Sequence, residues 1–477
     1  MSTINTNISA FGARRNLLVS QHDLSTSLER LSSGLKINRG ADNPAGLIVS
    51  ERLRAEIAAV GQAIDNSSRA INVISTTEGA LNEVSALLID INGLVVEAAN
   101  SGAFSDEEIE ANQLQIDSAI DSIARIANTT TFAGRKLLNG ELDYVTSGIV
   151  STELKDVNVQ AAKFGRAAYV PVSVEVSQSA LQAQLAFSGP GINDAVTINL
   201  AGPDGIITLS FPASASTSEM VTSINNQVDS TGITAEASGT DGSAGMRLMS
   251  LEYGSDAFVS VTKLGSGGSF DVVSRDGVTD KHENGVDALA TINGAATIAN
   301  GLKLKLSTVM LKLEMNLAED FGQGTSEFAI TQGGALFQLG PQVNTNLQEN
   351  IGVKAMHPEM LGNALVGYLN EVKSGQSYSL RSGNFKQASD ILDEVSTQVS
   401  VLRGRLGSFE RNTLRTNINQ LQITVENLTS SESVIRDTDF AAETSELTRA
   451  QILVQAGNNI LAIANAQSQN VLTLLGG

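Results

Sequence analysis

The sequence predicts an α+β protein: a long antiparallel α-helical coiled-coil bundle formed by both chain ends, with a mostly β domain inserted in the middle. Three observations predict it. Six of the seven prolines (Pro171, Pro190, Pro203, Pro212, Pro341, Pro358) fall between 171 and 358, with only Pro44 outside. Proline breaks helices, so the two ends are free to be long ones. In those ends the apolar residues recur in steps of three, four and seven, the helical and heptad spacing. In the centre they alternate with a period of two, the strand spacing.

In the first segment Ile4, Ile8, Phe11, Leu18, Leu24, Leu28 and Leu31 fall at or near helical spacing. Ser32-Ser33-Gly34 supplies a stop, with glycine suited to the left-handed cap. Asn43-Pro44 reads as the N-cap and first residue of a second helix. Its stripe is Ile57, Val60, Ile64, Ile71, Ile74, Leu81, Val84, Leu88, Ile91 and Val95. Unbroken to about residue 100, it is roughly 85 Å long at ~1.5 Å per residue. Ser105 and Glu108 form a capping box for a third helix, whose stripe is Ile109, Ile116, Ile120, Ile123 and Ala127. Toward the C-terminus, Ala388, Leu392, Val395, Val399, Leu402, Leu406 and Phe409 alternate steps of four and three. A five-residue step to Leu414 shifts the seam before Ile418, Leu421, Val425 and Leu428. Thr429-Ser430-Ser431 reads as a break. The last segment carries Ile452, Ala456, Ile460, Ile463, Gln467, Val471 and Leu474.

A seam residue contributes ~1.5–3 kcal/mol of transfer free energy when fully buried, so each stripe needs a cover. Segments 43–130 and 384–429 cover one another as an antiparallel bundle. Segments 1–33 and 445–475 are rich in small residues and can pair only with each other or with other copies. A two-helix pair of this length is marginal in water. These ends are therefore expected to be disordered in the free chain and to fold on assembly.

The centre changes period. Val170, Val172, Val174 and Val176 alternate, as do Val196, Ile198 and Leu200. Gly202-Pro203-Asp204-Gly205 turns, and Ile207, Leu209 and Phe211 alternate again, a hairpin signal. Residues 218–228 read as a short helix. Further strands are expected over 246–251, 258–261, 302–306 and 311–315. The expected domains are 1–42 with 431–477 (terminal coiled coil), 43–180 with 330–430 (helical bundle with β-hairpins), and 181–329 (surface-exposed and mostly β).

Composition narrows the function. With 477 residues there is ample chain for a sizeable core. Zero Cys excludes disulfide frameworks, thiolate metal sites and a cysteine nucleophile. A net charge of −20 argues against nucleic acid and against anionic lipid surfaces. No apolar run approaches the ~18 residues of a membrane span, so no membrane insertion is expected. Residues 1–25 lack the apolar core of a cleavable signal peptide, so no Sec-type signal is expected, although other export routes exist.

Chemical motifs are sparse. His282-Glu283 opens a zinc-type H-E-x-x-H pattern, but Val286 stands where the second histidine belongs. Gly265-Ser266-Gly267-Gly268 lacks the Lys-Ser/Thr of a phosphate loop and reads as a flexible loop. His22 lies in the first helix and His357 in a loop, with no role assigned. Glu107, Glu108 and Glu110 complement a helix dipole. No catalytic residue, metal or cofactor is expected.

Specific strings go further. Arg30-Leu31-Ser32-Ser33-Gly34-Leu35-Lys36-Ile37-Asn38, Asp42-Asn43-Pro44-Ala45-Gly46-Leu47 and Ser50-Glu51-Arg52-Leu53 resemble the N-terminal signature of bacterial flagellin. Phe132-Ala133-Gly134-Arg135-Lys136-Leu137-Leu138-Asn139-Gly140 is similar to that family's helix-to-hairpin junction. Ile435-Arg436-Asp437-Thr438-Asp439-Phe440-Ala441-Ala442-Glu443 is similar to its spoke, and Gln455-Ala456-Gly457 and Val471-Leu472-Thr473-Leu474-Leu475 also match. The resemblance covers residues 1–140 and 384–477. Residues 197–226 and 254–257 more weakly resemble a repeat module of flagellins and hook-associated proteins.

The resemblance implies a structural subunit that self-assembles into the helical flagellar filament for swimming motility. It implies paired termini lining an inner tube, an outer tube of helices, and an insert projecting into solvent. It implies an extracellular place in the flagellum and export through the flagellar type III apparatus. The implied partners are other copies of the chain, hook-associated junction and cap proteins, and an export chaperone on the C-terminal segment. Weak innate-immune receptor recognition is also implied. The assembly residues are Ile4, Ile8, Phe11, Leu18, Leu28 and Leu31 with Ile452, Ile460, Ile463, Val471 and Leu474. Junction and switch residues are Gly34, Asp42, Pro44, Phe132, Arg436 and Asp437. The receptor region holds Asp90, Leu94 and Gln115. Strongly activating flagellins carry Arg and Glu where this chain has Asp90 and Gln115, which predicts weak activation. Competing readings are a hook–filament junction protein with the same terminal helices, a flagellin with a protease insert, and a soluble coiled-coil adhesin. The filament strings at both ends, the broken histidine motif and the paired apolar termini argue against them in turn.

Overall fold

The computed structural model describes residues 6–100, 102, 104–165, 167–238 and 245–475, with side chains to residue 467. Its long helices are α1 (Ile8–Ser33), α2 (Pro44–Ala99), α3 (Asp106–Thr129), a short α4 (Thr217–Asn225), α5 (Phe385–Phe409), α6 (Arg415–Arg436) and α7 (Phe440–Leu475). Strands fill the centre, which makes the chain α+β with helical ends.

The predicted caps form where their chemistry calls for them. Gly34 closes α1 with φ 74°, and its N–H reaches the Arg30 carbonyl. Asn43 Oδ1 accepts from the Gly46 N–H at the start of α2. Ser105 and Glu108 complete their capping box on α3. The five-residue step after Phe409 is absorbed by one π-helical turn, Glu410–Leu414, which inserts the extra residue without ending the helix.

Two readings are corrected. No break occurs at 429–431, because α6 runs on to Arg436 and Ser431 Oγ bonds the Asn427 carbonyl within the helix. The α2 seam does not use Ile64 and Ile71. It runs Val60, Ala63, Ser67, Ala70, Ile74, Thr77, Leu81, Val84, Leu88, Ile91, Val95 and Ala98, an unbroken alternation of three and four. Ser67 and Thr77 fit because their hydroxyls bond the carbonyls of Ala63 and Val73. The expectation that no segment reaches membrane-span hydropathy also meets an exception. An 18-residue window of α2 has mean hydropathy 1.4. Leu81, Val84, Leu88, Ile91 and Val95 follow the buried stripe, while Ile89 and Val96 are exposed on another face.

The described chain forms two compact units. The first takes residues up to 70, 338–343 and from 411 onward. In it α1 packs on α7, and Val60, Ala63 and Leu421 form a small buried cluster with Ile64, Val425 and Leu428 around it. Asn417 Nδ2 donates to the Leu339 carbonyl, holding the 338–343 segment to α6.

The second unit takes 71–337 and 344–410. Its helical core is the buried stripe of α2 from Ile74 to Ala98, with Ile116, Ile120, Ile123 and Ala127 of α3 and Ala388, Ile391, Leu392, Val395, Val399, Leu402 and Leu406 of α5. A tight hairpin pairs Thr131–Phe132 with Arg135–Lys136 through Ala133 and Gly134, both at positive φ. Two antiparallel β-sandwiches follow, each with its own buried cluster.

In the first sandwich a five-stranded sheet runs Ala295–Ala296, Leu289–Ile292, Val170–Gln178, Gly324–Gly333, Tyr144–Ser147. Its companion runs Ile298–Asn300, Lys303–Ser307, Leu311–Leu317, Leu154–Ala162. Val172, Val174 and Val176 point into the shared core. Tyr144 lies there too, its hydroxyl accepting from the Ala162 N–H, and burial pushes its pKa up to about 12. In the second, Val272–Ser274, Gln182–Ser188, Gly245–Tyr253 and Ile233–Ser238 face His282–Asn284, Phe258–Leu264, Val196–Gly202 and Gly205–Phe211. Met220 and Ile224 of α4 complete that core. The expected insert, 181–329, spans the second sandwich and part of the first. Half-buried Arg405 of α5 donates to the Gly352 carbonyl at 2.6 Å, just after the strand Gln348–Ile351.

Candidate assembly surface and junction

The seam between α1 and α7 is made of small residues on one side. Ala450 and Ala464 are 4% and 7% exposed, and Gly457 between them faces Leu17. A Cβ added at Gly457 would lie 3.2 Å from Leu17 Cδ1, so the two backbones approach closely there. Arg30 reaches Glu443 at 3.6 Å, one heptad before Ala450. Asn7 Nδ2 donates to the Ala464 carbonyl at 2.8 Å, closing the far end.

The large apolar residues lie elsewhere. On α1, Ile8 is 75% exposed, Phe11 65%, Leu18 56% and Leu28 51%. At about 100° per residue, Ile8, Phe11 and Leu18 share a face turned away from Leu17. On α7, Ile452, Ile460 and Ile463 are 60%, 55% and 66% exposed, on a stripe about 100° round the helix from the small-residue seam. Leu31 is half-buried. Ile4 lies outside the described residues, and the side chains of Val471 and Leu474 lie beyond those described. The paired helices therefore keep an uncovered apolar stripe each. Isolated exposed apolar residues are ordinary, but aligned rows of them mark a surface for another protein.

Five of the six junction residues meet in the same unit. Leu35 and Asp437 form an antiparallel bridge, with Lys36 N–H donating to the Arg436 carbonyl and Thr438 N–H to the Gly34 carbonyl. Arg436, which ends α6, pairs with Glu51 of α2 at 3.0 Å. Asp437 Oδ2 accepts from Ser433 Oγ at 2.6 Å. Asp42 Oδ2 accepts from the N–H groups of Arg39 and Asn38, and these bonds hold its carboxyl below the usual range. Arg39 in turn pairs with Glu29. Pro44 follows directly as the first residue of α2. Arg436 Nε and Thr438 Oγ1 are buried without a partner among the described residues, a local cost in stability. Phe132 sits apart, in the tight hairpin of the second unit.

Asp90 and Gln115 are exposed and Leu94 is half-buried, on α2 and α3. Sequence reasoning missed Ala450, Gly457 and Ala464. Their strict spacing of seven was visible, but a search for large apolar residues passes over it.

The N-terminal helical region of bacterial flagellin matches residues 4–143, and its C-terminal helical region matches 389–475. The flagellin hook IN motif matches 195–251, the repeat-like stretch of the second sandwich. A flagellin of Salmonella rubislaw is 30% identical over 511 residues, covering 99% of each chain. Flagellin A of Vibrio anguillarum is 31% identical over 479 residues, again covering 99% of each. The flagellar junction protein FlgL of Legionella pneumophila aligns over 84% of this chain and 100% of its own, at 12% identity. Its TM-score is 0.26, too low to argue from. The helical ends, the small-residue seam and the exposed stripes belong to a structural protein that polymerises. The chain is a member of the bacterial flagellin family. It is a subunit of the flagellar filament, which is a polymer of such chains outside the cell.

Proposed function

We propose that the uncovered apolar stripes of α1 and α7 drive polymerisation. One subunit's terminal pair offers faces that its neighbours cover, and contacts of this kind that do not close on themselves build a helix. In this reading 1–42 and 431–477 form the inner layer. Residues 43–180 and 330–430 form the next layer, and 181–329 project outward. The observation that carries it is the exposure of Ile8, Phe11, Leu18, Ile452, Ile460 and Ile463 on helices whose buried residues, among those described, are Leu17, Ser27, Ala450 and Ala464.

The junction of Gly34, Asp42, Pro44, Arg436 and Asp437, with the hairpin at Phe132, is the set of turns that shifts when the filament changes supercoil form. Free chains are exported unfolded by a type III route, with a chaperone on the C-terminal segment. Hook-associated junction and cap proteins flank the finished polymer. No enzymatic activity is assigned. Asp90 and Gln115 weaken recognition by innate receptors, which a cell-reporter assay reads as low potency beside a strongly activating flagellin.

The test is negative-stain electron microscopy of the full chain in high salt. Salt screens a charge of −20 per subunit and favours growth. Filaments are expected from the parent and none from a Phe11→Asp/Ile460→Asp double variant. A double variant that still polymerises overturns this account of the ends.

A further inference from the structure

We propose that the strand Gly205–Phe211 is a docking edge for the same strand of a second copy of this chain. The pairing is antiparallel and joins two outer sandwiches into one continuous sheet. It rests on the filament reading, because a single pairing is small and gains strength only where copies are arrayed.

Gly205–Phe211 ends the sheet whose other strands are Val196–Gly202, Phe258–Leu264 and His282–Asn284. Its sequence is Gly-Ile-Ile-Thr-Leu-Ser-Phe. It pairs on one side with Val196–Gly202, in unbroken register from Gly202↔Gly205 to Val196↔Phe211. In a two-residue hairpin of this register the odd-numbered residues exchange bonds with the neighbour. Ile206, Thr208 and Ser210 then direct N–H and C=O groups to the open side. All three are exposed, Ile206 by 70%.

Sheet edges invite pairing with other chains, and proteins guard them with short strands, charges, prolines or bulges. The other edges of the two sandwiches are guarded in these ways. Val272–Ser274, His282–Asn284, Ala295–Ala296 and Tyr144–Ser147 are at most four residues long, as is Ile298–Asn300. Ile233–Ser238 carries exposed Glu236, and Leu154–Ala162 carries Lys155, Asp156 and register shifts. Gly205–Phe211 has no charge, no proline and no shift. Seven uncharged residues, four of them (Ile206, Ile207, Thr208, Phe211) strand-favouring, make a pairing segment.

The core beneath is only partly closed on the same flank, where the one-turn helix Val228–Thr231 packs beside the Gly205 end of the strand. Ile207 and Leu209, with Val221 of α4, are only partly buried, while Ile198, Leu200, Met220 and Ile224 of that cluster are fully buried. A second copy in antiparallel register covers this flank with its own Ile207 and Leu209. Thr208 then faces Thr208 and Ile206 faces Ser210, a self-complementary two-fold contact. Charge favours this site too. Copies that each carry −20 repel over most of their surface, but this strand brings no charge to the contact.

A strand pair of this length buries well under the ~1,200 Å² of a stable interface, so it is transient between free chains. Arrayed along filaments, many pairings act together and hold neighbouring filaments side by side.

The chain contains no cysteine, so Thr208→Cys is a clean probe. Mild oxidation of T208C filaments is expected to give a disulfide-linked dimer, and Ser266→Cys, in an exposed loop of the same sandwich, none. Thr208→Pro removes the outward N–H and one exposed bond, from Thr208 Oγ1 to Asn199 Oδ1, a change an edge strand tolerates. T208P filaments are expected to match the parent in length by electron microscopy and to pellet several-fold less at low speed. No T208C dimer, equal cross-linking of S266C, or T208P filaments that pellet like the parent each overturn the docking edge. If the parent forms no filaments, the filament reading fails instead, and T208C cross-linking at high chain concentration still decides the edge.

Discussion

In α5, Leu392, Val395 and Val399 are fully buried, whereas in α7 Ile452, Ile460 and Ile463 are more than half exposed, although both sets recur at helical steps. The bundle helices meet along their large residues. The terminal helices meet along Ala450, Gly457 and Ala464 and leave their large residues outside. Periodicity therefore names a face but not its partner. In one unit the partner is elsewhere in the same chain. In the other, the backbones approach closely at Gly457 and the large apolar residues stay exposed, free for the neighbouring chains proposed above.

The contrast predicts opposite responses to one kind of substitution, and this is the largest effect. Leu392→Ala removes a fully buried side chain and leaves a cavity. It is expected to cost about 2–5 kcal/mol of unfolding free energy. Ile463→Ala touches a residue already 66% exposed and is expected to stay within about 0.5 kcal/mol. Its effect belongs in polymer growth, read as slower light-scattering kinetics after seeding. Denaturant titration of unpolymerised chain measures the first pair of values. A large loss of monomer stability in Ile463→Ala would break the comparison.

A smaller effect tests the small-residue seam. At Gly457 an alanine gains about 1 kcal/mol of helix propensity, and its Cβ is tight only against the movable end of Leu17 at 3.2 Å, with Leu17 Cβ and Cα at ordinary contact distances of 3.5 and 3.7 Å. Gly457→Ala is therefore expected to be close to neutral. Gly457→Val overfills the contact and is expected to cost about 1–3 kcal/mol. Hydrogen exchange across 8–33 should then rise together with exchange across 440–467. Equal behaviour of the two variants would mean that the approach at Gly457 does not hold the pair.

The parts of this fold that local chemistry decides were legible in the sequence. The cap at Gly34, the start at Asn43-Pro44, the box at Ser105 and Glu108 and the turn at 202–205 each depend on a few neighbouring residues. The five-residue step was also legible, because a heptad seam has one cheap way to absorb an extra residue. What was not legible depends on residues far apart in sequence. Alternation in 170–178 fixes which side chains go inward, yet nothing local selects 324–333 as its neighbour. Ser67 and Thr77 sit in the α2 seam because the helix satisfies their hydroxyls internally, which hydropathy alone cannot register. At the junction, resemblance rather than spacing pointed to Arg436 and Asp437, and only folding brings them against Leu35 and Lys36.

The smallest expected effect concerns the turn that leads from α1 to α2. If this turn is softer than the helices on either side, one carboxylate should govern it. Asp42 accepts from the backbone N–H groups of Arg39 and Asn38, and those bonds lower its native pKa. A carboxyl whose native pKa lies below its unfolded value stabilises fully above the unfolded value, about 4. That contribution is lost as pH falls through the lower native value. Hydrogen exchange at Asn38 and Arg39, corrected for intrinsic rates, should therefore quicken as pH falls below about 4, while the middle of α1 stays protected. Asp42→Ala should show the fast exchange at every pH. Asp42→Asn keeps an oxygen acceptor without the titration, so it should lie between them and be flat. Protection at Asn38 that does not change with pH in the parent would show that the turn is held by the Leu35–Asp437 bridge instead, and Asp42 would lose its place in the junction.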